Sequence, residues 1–218
     1  TSTTIPNSVT KIGEDSFRGC RSLTNIAIPN NVTAIGISAF QGCSSLTSII
    51  IPNSLSEIGM FVFQDCSSLT SVTIRNNINT IGRGAFSNCS SLTNIIIPES
   101  VTWIRYAAFK DCIRLTNINI PDSIIGIGES AFQGCSGLTN VIVPCNVTYV
   151  GDCAFCNCVS LTSFEGKFAS QDGRCLIIDG VLKMYATNCS ELDFSVPDNV
   201  STIEDYAFYG SVNLTSLT

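Results

Sequence analysis

Apolar residues recur along this chain with a fixed period of 23 positions, and within each period the pattern changes character twice. After its leading Leu, Leu23-Thr24-Asn25-Ile26-Ala27-Ile28 sets its large apolar residues Ile26 and Ile28 at alternate positions, the two-residue period of a strand with one buried face. Pro29 closes that strand, because proline removes a ladder donor and fixes the chain for a turn. Val32-Thr33-Ala34-Ile35 is a second, shorter extended piece that sends Val32 and Ile35 inward, after which Gly36 turns the chain into Ser38-Ala39-Phe40. That last piece reads as a helical turn. Its end is marked by Gly19, Gly42, Asp65, Asn88, Asp111, Gly134 and Asn157, the residue types that best tolerate the left-handed conformation closing a helix.

Stacked at this period, the chain forms columns of one residue type. Phenylalanine repeats from Phe17 to Phe155, cysteine from Cys20 to Cys158 and leucine from Leu23 to Leu161, and proline from Pro6 to Pro144 with Arg75 the one substitution. Seven contiguous units fill 5–165, an eighth returns at 196–218, and a 30-residue insert occupies 166–195. Each unit offers roughly six apolar anchors worth about 1.5 to 3 kcal/mol apiece, against an ordering cost on the order of 1.5 kcal/mol per residue, so no unit folds alone. Stacked neighbours bury one another's anchors, and the expected product is a single domain over 1–218, a stretch of a longer array. Within the insert, apolar runs Cys175 to Ile178 and Val181 to Tyr185 flank Asp179-Gly180, the signal of a projecting hairpin.

The unit IPNNVTAIGISAFQGCSSLTSII at 28–50 resembles the BspA-like (Treponema-type) class of leucine-rich repeat, through I-P, V-T-x-I-G, A-F-x-x-C and S-L-T-x-I at fixed offsets. The resemblance implies an α/β solenoid, right-handed and curved, with a parallel sheet on one face and short helical turns on the other. It also implies a surface or secreted module of the kind found in host-associated bacteria and protozoa, acting as an adhesin on host or matrix proteins. It implies no catalytic motif. Two substitutions depart from the pattern: Arg75 replaces a proline, and Arg105 replaces a glycine.

Composition narrows the chemistry further. No histidine is present, which removes Ser-His-Asp and Cys-His machinery and the commonest metal ligand. Carboxylates such as Glu14, Glu57, Glu99, Glu129 and Glu165 are scattered, in different columns or, for Glu14 and Glu129, five turns apart in one, so the repeat holds no acid/base pair together. Glycines recur once per turn as Ile-Gly and not as a phosphate-binding loop, so no cofactor is expected. With 17 acidic against 11 basic residues and no basic cluster, nucleic acid is an unexpected partner. Apolar runs such as Ile49 to Ile51 are far too short to span a bilayer, and the start at Thr1 lacks the charged and apolar regions of a signal peptide, so a soluble segment is expected. Six N-x-S/T sequons, starting at Asn31, Asn88, Asn146, Asn188, Asn199 and Asn213, point weakly to secretion, since a repeat rich in Asn, Ser and Thr produces them by chance.

Twelve cysteines divide into a periodic seven and five others, Cys145, Cys153, Cys156, Cys175 and Cys189. The periodic set is expected to pack as small buried hydrophobes. Cys156 falls in a column otherwise filled by Arg18, Gln41, Gln64, Ser87, Lys110 and Gln133, so an exposed side chain is expected there. Cys153 and Cys156 have C-x-x-C spacing without the second pair a zinc site needs. A disulfide fastening the insert, from Cys145 or Cys156 to Cys175 or Cys189, is the pairing considered.

Information for a partner must sit in outward columns. The strand column presents Ile50, Thr73, Ile96, Asn119 and Ile142, three apolar residues in a polar field, which suits protein contact and equally suits plain strand propensity. Beyond the Val-Thr-x-Ile segment, Met60, Phe61, Trp103, Tyr106 and Tyr149 stand where other turns carry Glu14, Asp15, Lys11 or Glu57. Aromatics are common interface anchors, while packing between neighbouring turns is the alternative reading. The expected function is a cell-surface or extracellular protein-binding module for a host or matrix protein, not an enzyme. The alternative is an intracellular, cytoplasmic scaffold, which the many apparently free thiols would fit.

Overall fold

Strand pairing in the computed structural model, described over residues 2–190 and 193–218, follows the sequence period. Lys11 pairs with Ala34, Ser48 with Ser71, Glu57 with Thr80, Thr80 with Trp103 and Asn140 with Ser163, all in parallel, so one repeat makes one turn of a parallel-strand solenoid. Inward residues of successive turns merge into one apolar core running from Ile12 to Ala207. Along it the phenylalanine rings from Phe17 to Phe155 stack face to face, with centroids 5.1 to 5.6 Å apart and planes within 11°. Phe164 ends the stack by meeting Phe155 edge-on.

The two extended segments do not form equally regular sheets. Val-Thr-x-Ile strands at Glu57–Ile58, Thr80–Ile81, Trp103–Ile104, Gly126–Ile127 and Tyr149–Val150 join into one five-stranded parallel sheet. The longer-looking leucine strands instead form separate two-stranded pairs, such as Ser48–Ile50 with Ser71–Thr73, joined elsewhere by the isolated bridge Ile96–Asn119. Threonines bond the turns together along the edge of this column. Thr47 Oγ1 donates to the Thr24 carbonyl at 3.2 Å, and Thr70 Oγ1 to that of Thr47 at 3.0 Å.

The expected helical turns are absent: no helix forms among the described residues. The reason lies in two left-handed positions per turn. The Gly/Asp/Asn column does take positive φ, from 58° at Asp111 to 74° at Gly134, but so does a second column four residues earlier, through Asp15, Ser38, Phe61, Gly84, Ala107, Ser130 and Cys153. A helix needs an unbroken run near φ −63°, which this spacing forbids. Amides here alternate their partners instead. Ser38 N, Phe40 N and Gly42 N donate across to the carbonyls of Met60, Val62 and Gln64, at 2.8 to 3.0 Å. Gln41 N and Cys43 N close local turns onto Ser38 and Phe40, at 3.0 and 3.2 Å.

Residues 166–195 do not leave the stack as a projecting element. Cys175–Ile178 and Val181–Tyr185 form an antiparallel hairpin, but its second arm then pairs in parallel with Thr202–Ile203, and Asp193–Phe194 pairs in parallel with Ser216–Leu217. Tyr185 takes the place of a column phenylalanine: its amide donates to Ala207 O at 2.8 Å, as that of Phe132 does to Ala154 O at 2.7 Å, and its ring meets Phe208 at 5.3 Å. Leu176, Leu182, Met184 and Tyr185 are buried. This stretch is therefore a long turn of the same solenoid, whose extra residues are folded back as the first hairpin arm; its residues 191 and 192, like residue 1, lie outside the described set.

Candidate functional site

The aromatic flank is a trough along the outer edge of the five-stranded sheet, enclosing about 770 Å³. Its floor is the glycine column Gly36, Gly59, Gly82 and Gly128, interrupted by Arg105. Glycine is needed there because a β-carbon at Gly82 or Gly128 would fall 2.6 Å from Ile58 O or Tyr106 N of the preceding turn. One wall carries Glu57, Thr80, Trp103 and Tyr149; the other carries Ile37, Met60, Arg83, Tyr106 and Glu129.

These side chains pack across turns. Trp103 lies over Gly126, where a β-carbon would meet its six-membered ring at 2.1 Å, and reaches Tyr149 of the turn beyond at a centroid separation of 6.1 Å. Phe61 covers Gly84 in the same way. Arg105 stacks on Trp103 at 4.8 Å, and Arg83 lies 4.7 Å from the Tyr106 ring and 5.5 Å from that of Phe61. Trp103 and Phe61 are half-buried by this packing, whereas Tyr106 and Tyr149 remain exposed. Arg83 and Gly126 were not picked out from sequence, and Glu129 stood there only as one of the scattered carboxylates. The signal was available in Arg83 standing beside the glycine column, in a position that holds Glu14, Ile37 and Met60 in earlier turns.

On the strand face, Ile50, Ile96 and Ile142 are 57, 71 and 51% exposed, with exposed Thr73 and Asn119 between them. Alternate turns therefore present the isoleucines, about 10 Å apart at the usual strand spacing. They form a comb of separate apolar knobs and not one continuous patch. Asn31, Asn88 and Asn146, three of the sequon asparagines, donate their side-chain amides to Asn7 O, Asp65 Oδ1 and Asp122 O of the preceding turn.

The cysteines correct two expectations. Cys156 is buried, and it is disulfide-bonded to Cys153 within the C-x-x-C, while Cys145, Cys175 and Cys189 keep their thiols. The column of Cys156 is less outward than its polar residues suggest: Gln41, Gln64, Lys110 and Gln133 are half-buried and Ser87 is buried. The periodic cysteines are buried except Cys20 in the first turn. The six buried ones also donate their S–H to a phenylalanine carbonyl of the preceding turn, as Cys112 does to Phe86 O at 3.2 Å and Cys135 to Phe109 O at 3.1 Å. Burial pushes the Cys112 and Cys158 thiols up to about 12, so they are inert at neutral pH. No group of three or more Cys, Asp or Glu positioned to hold a metal occurs among the described residues.

With the repeat and its geometry defined, the profile of the BspA type leucine rich repeat region matches the chain in six copies, over residues 1–115, 63–171 and 183–218. The chain belongs to the BspA type leucine-rich repeat family. Among solved structures, a leucine-rich repeat protein from Bacteroides ovatus ATCC 8483 is 31% identical, with a TM-score of 0.84 over 99% of this chain and 56% of that one. A leucine rich cell surface protein from Faecalibacterium prausnitzii A2-165 is 29% identical, with a TM-score of 0.63 over 100% of this chain and 56% of that one. A leucine-rich repeat protein from Eubacterium ventriosum ATCC 27560 is 27% identical, with a TM-score of 0.70 over 79% and 47%. This BspA-type segment thus spans about half the length of the structures it resembles. None of the curated proteins is significantly similar to it in sequence. No helix among the described residues is long and apolar enough to cross a membrane.

Proposed function

We propose that this segment is a protein-binding module of a cell-surface or secreted protein, an adhesin for a host or matrix protein, and that the strand face carries the contact. The observation that supports this most is the exposure of Ile50, Ile96 and Ile142 on a rigid column whose inward neighbours Ile49, Ile95 and Val141 are buried. A large aliphatic side chain held in water at every second turn gains free energy when a partner covers it, about 25 cal/mol per Å² of apolar area removed from water. Thr73 and Asn119 between the knobs supply the polar contacts that fix register. The exterior placement draws on the F. prausnitzii cell surface protein, 29% identical over the whole segment, and on the Cys153–Cys156 disulfide, a bond that persists in oxidising compartments.

The test is capture from extracellular-matrix and epithelial-cell extracts by wild type and by the triple variant Ile50→Glu, Ile96→Glu, Ile142→Glu. A protein held by wild type and lost by the variant supports the reading. A variant that retains every wild-type partner assigns the contact elsewhere.

A further inference from the structure

The strand face makes no use of the flank trough, whose chemistry is different. Its floor amides are already committed: Gly82 N donates to Ile58 O at 2.8 Å, Arg105 N to Ile81 O at 2.9 Å and Gly128 N to Ile104 O at 2.7 Å. The floor therefore offers a ligand none of these amides, and recognition there falls to side chains. Those side chains are planar rings and planar charged groups. Tyr149 and Tyr106 are 49 and 39% exposed, so each offers an apolar ring face to a ligand in the trough. Trp103 backs Tyr149.

The charges are ordered along the axis. Arg83 and Arg105 occupy the two central turns, while Glu57 and Glu129 sit one turn further out on either side. No ion pair engages either arginine among the described residues. A guanidinium stacked on a ring keeps its N–H donors in its own plane, directed away from the ring and suited to bidentate contact with an anion. Carboxylates at the outer turns accept pairs of hydroxyl donors. The five strands from Glu57 to Tyr149 span about 19 Å at the usual spacing, so a linear ligand can touch all of these groups at once.

We propose that this trough binds a linear acidic oligosaccharide. Its carboxylate or sulfate lies between Arg83 and Arg105, the C–H face of a pyranose ring rests on Tyr149, and ring hydroxyls donate to Glu57 and Glu129. Arg105 carries the specificity, since it is the one residue that puts a side chain into the otherwise bare floor.

The chain contains one tryptophan, and it stands in the trough, so tryptophan emission, excited at the red edge where tyrosine does not absorb, reads this site. The probes are a hyaluronan octasaccharide, a chondroitin sulfate octasaccharide and neutral cellohexaose. At least one acidic chain is expected to give a saturable change in Trp103 emission that weakens as salt is raised, with cellohexaose at least about tenfold weaker. Arg105→Gly, which restores the residue type of its column, and Tyr149→Ala are each expected to weaken binding about tenfold or more with an unchanged unfolding midpoint. The triple isoleucine variant must respond as wild type does, which separates this site from the strand face. The proposal is overturned by the absence of a saturable response to both acidic chains, by equal binding of cellohexaose, or by Arg105→Gly binding as tightly as wild type. It is equally overturned if Tyr149→Ala loses a captured protein while no saccharide binds.

Discussion

At the scale of single residues, the column cysteines show how one position serves both packing and hydrogen bonding. Their burial was legible from the 23-residue repeat and from cysteine's small, weakly polar side chain. Their S–H contact with the carbonyl of the preceding turn was not, because period alone cannot show which atoms face each other. A thiol whose folded pKa is raised above its unfolded value supports the fold fully below the unfolded pKa, and that support is lost as pH rises towards the folded one. With Cys112 and Cys158 pushed up to about 12 by burial, urea midpoints should hold steady through neutral pH and fall between about pH 9 and 12. Cys112→Ala should make that fall shallower. A flat midpoint up to pH 11 would mean that these thiols are not enclosed as the structure has them. Left-handed residues are a second lesson at this scale. Gly19 or Asn88 announce positive φ by type, whereas Phe61 and Ala107 adopt it because the ladder to the next turn demands it, and nothing in their chemistry foretells it.

At the scale of elements, the phenylalanine stack is the feature most plainly written in the sequence. Phe86 is fully enclosed between Phe63 and Phe109, so Phe86→Ala should cost about 3 to 5 kcal/mol through the cavity it leaves, measurable as a lower denaturation midpoint. An unchanged midpoint would remove the stack from the core. Helical turns were misread because Ser38-Ala39-Phe40 has the apolar spacing of one, yet a lone turn four residues long gains too little from local bonds to resist a ladder that continues along the array. The C-x-x-C was weighed as a metal motif, and its cysteines pair with each other instead. Peptide mapping after alkylation should find Cys153 and Cys156 linked, with Cys145 modified under native conditions; a link from Cys156 to the long turn would contradict the structure.

At the scale of the whole molecule, turns depend on their neighbours, and the long turn at 166–195 is one of them. Thr187 Oγ1 donates to Cys158 O at 2.8 Å and Asn188 N to Leu161 O at 2.8 Å, so this turn closes the seventh repeat from one side. Excising 166–195 should raise amide exchange across 151–165 while turns from Gly36 to Leu138 keep their protection, since each draws stability from nearest neighbours. Uniform loss of protection would mean that the array folds as one unit. A rigid stack of this kind separates stability, held by inward columns, from recognition, held by outward ones. The sequence period distinguished inward from outward positions but not the trough, which exists because a bare glycine column lies between two walls. The separation is tested most directly by measuring, on the triple variant Ile50→Glu, Ile96→Glu, Ile142→Glu, both affinity for the protein that wild type captures and the urea unfolding midpoint. The account predicts that binding is lost while stability moves by no more than about 0.5 kcal/mol, and binding at wild-type affinity, or binding lost together with the fold, would contradict it.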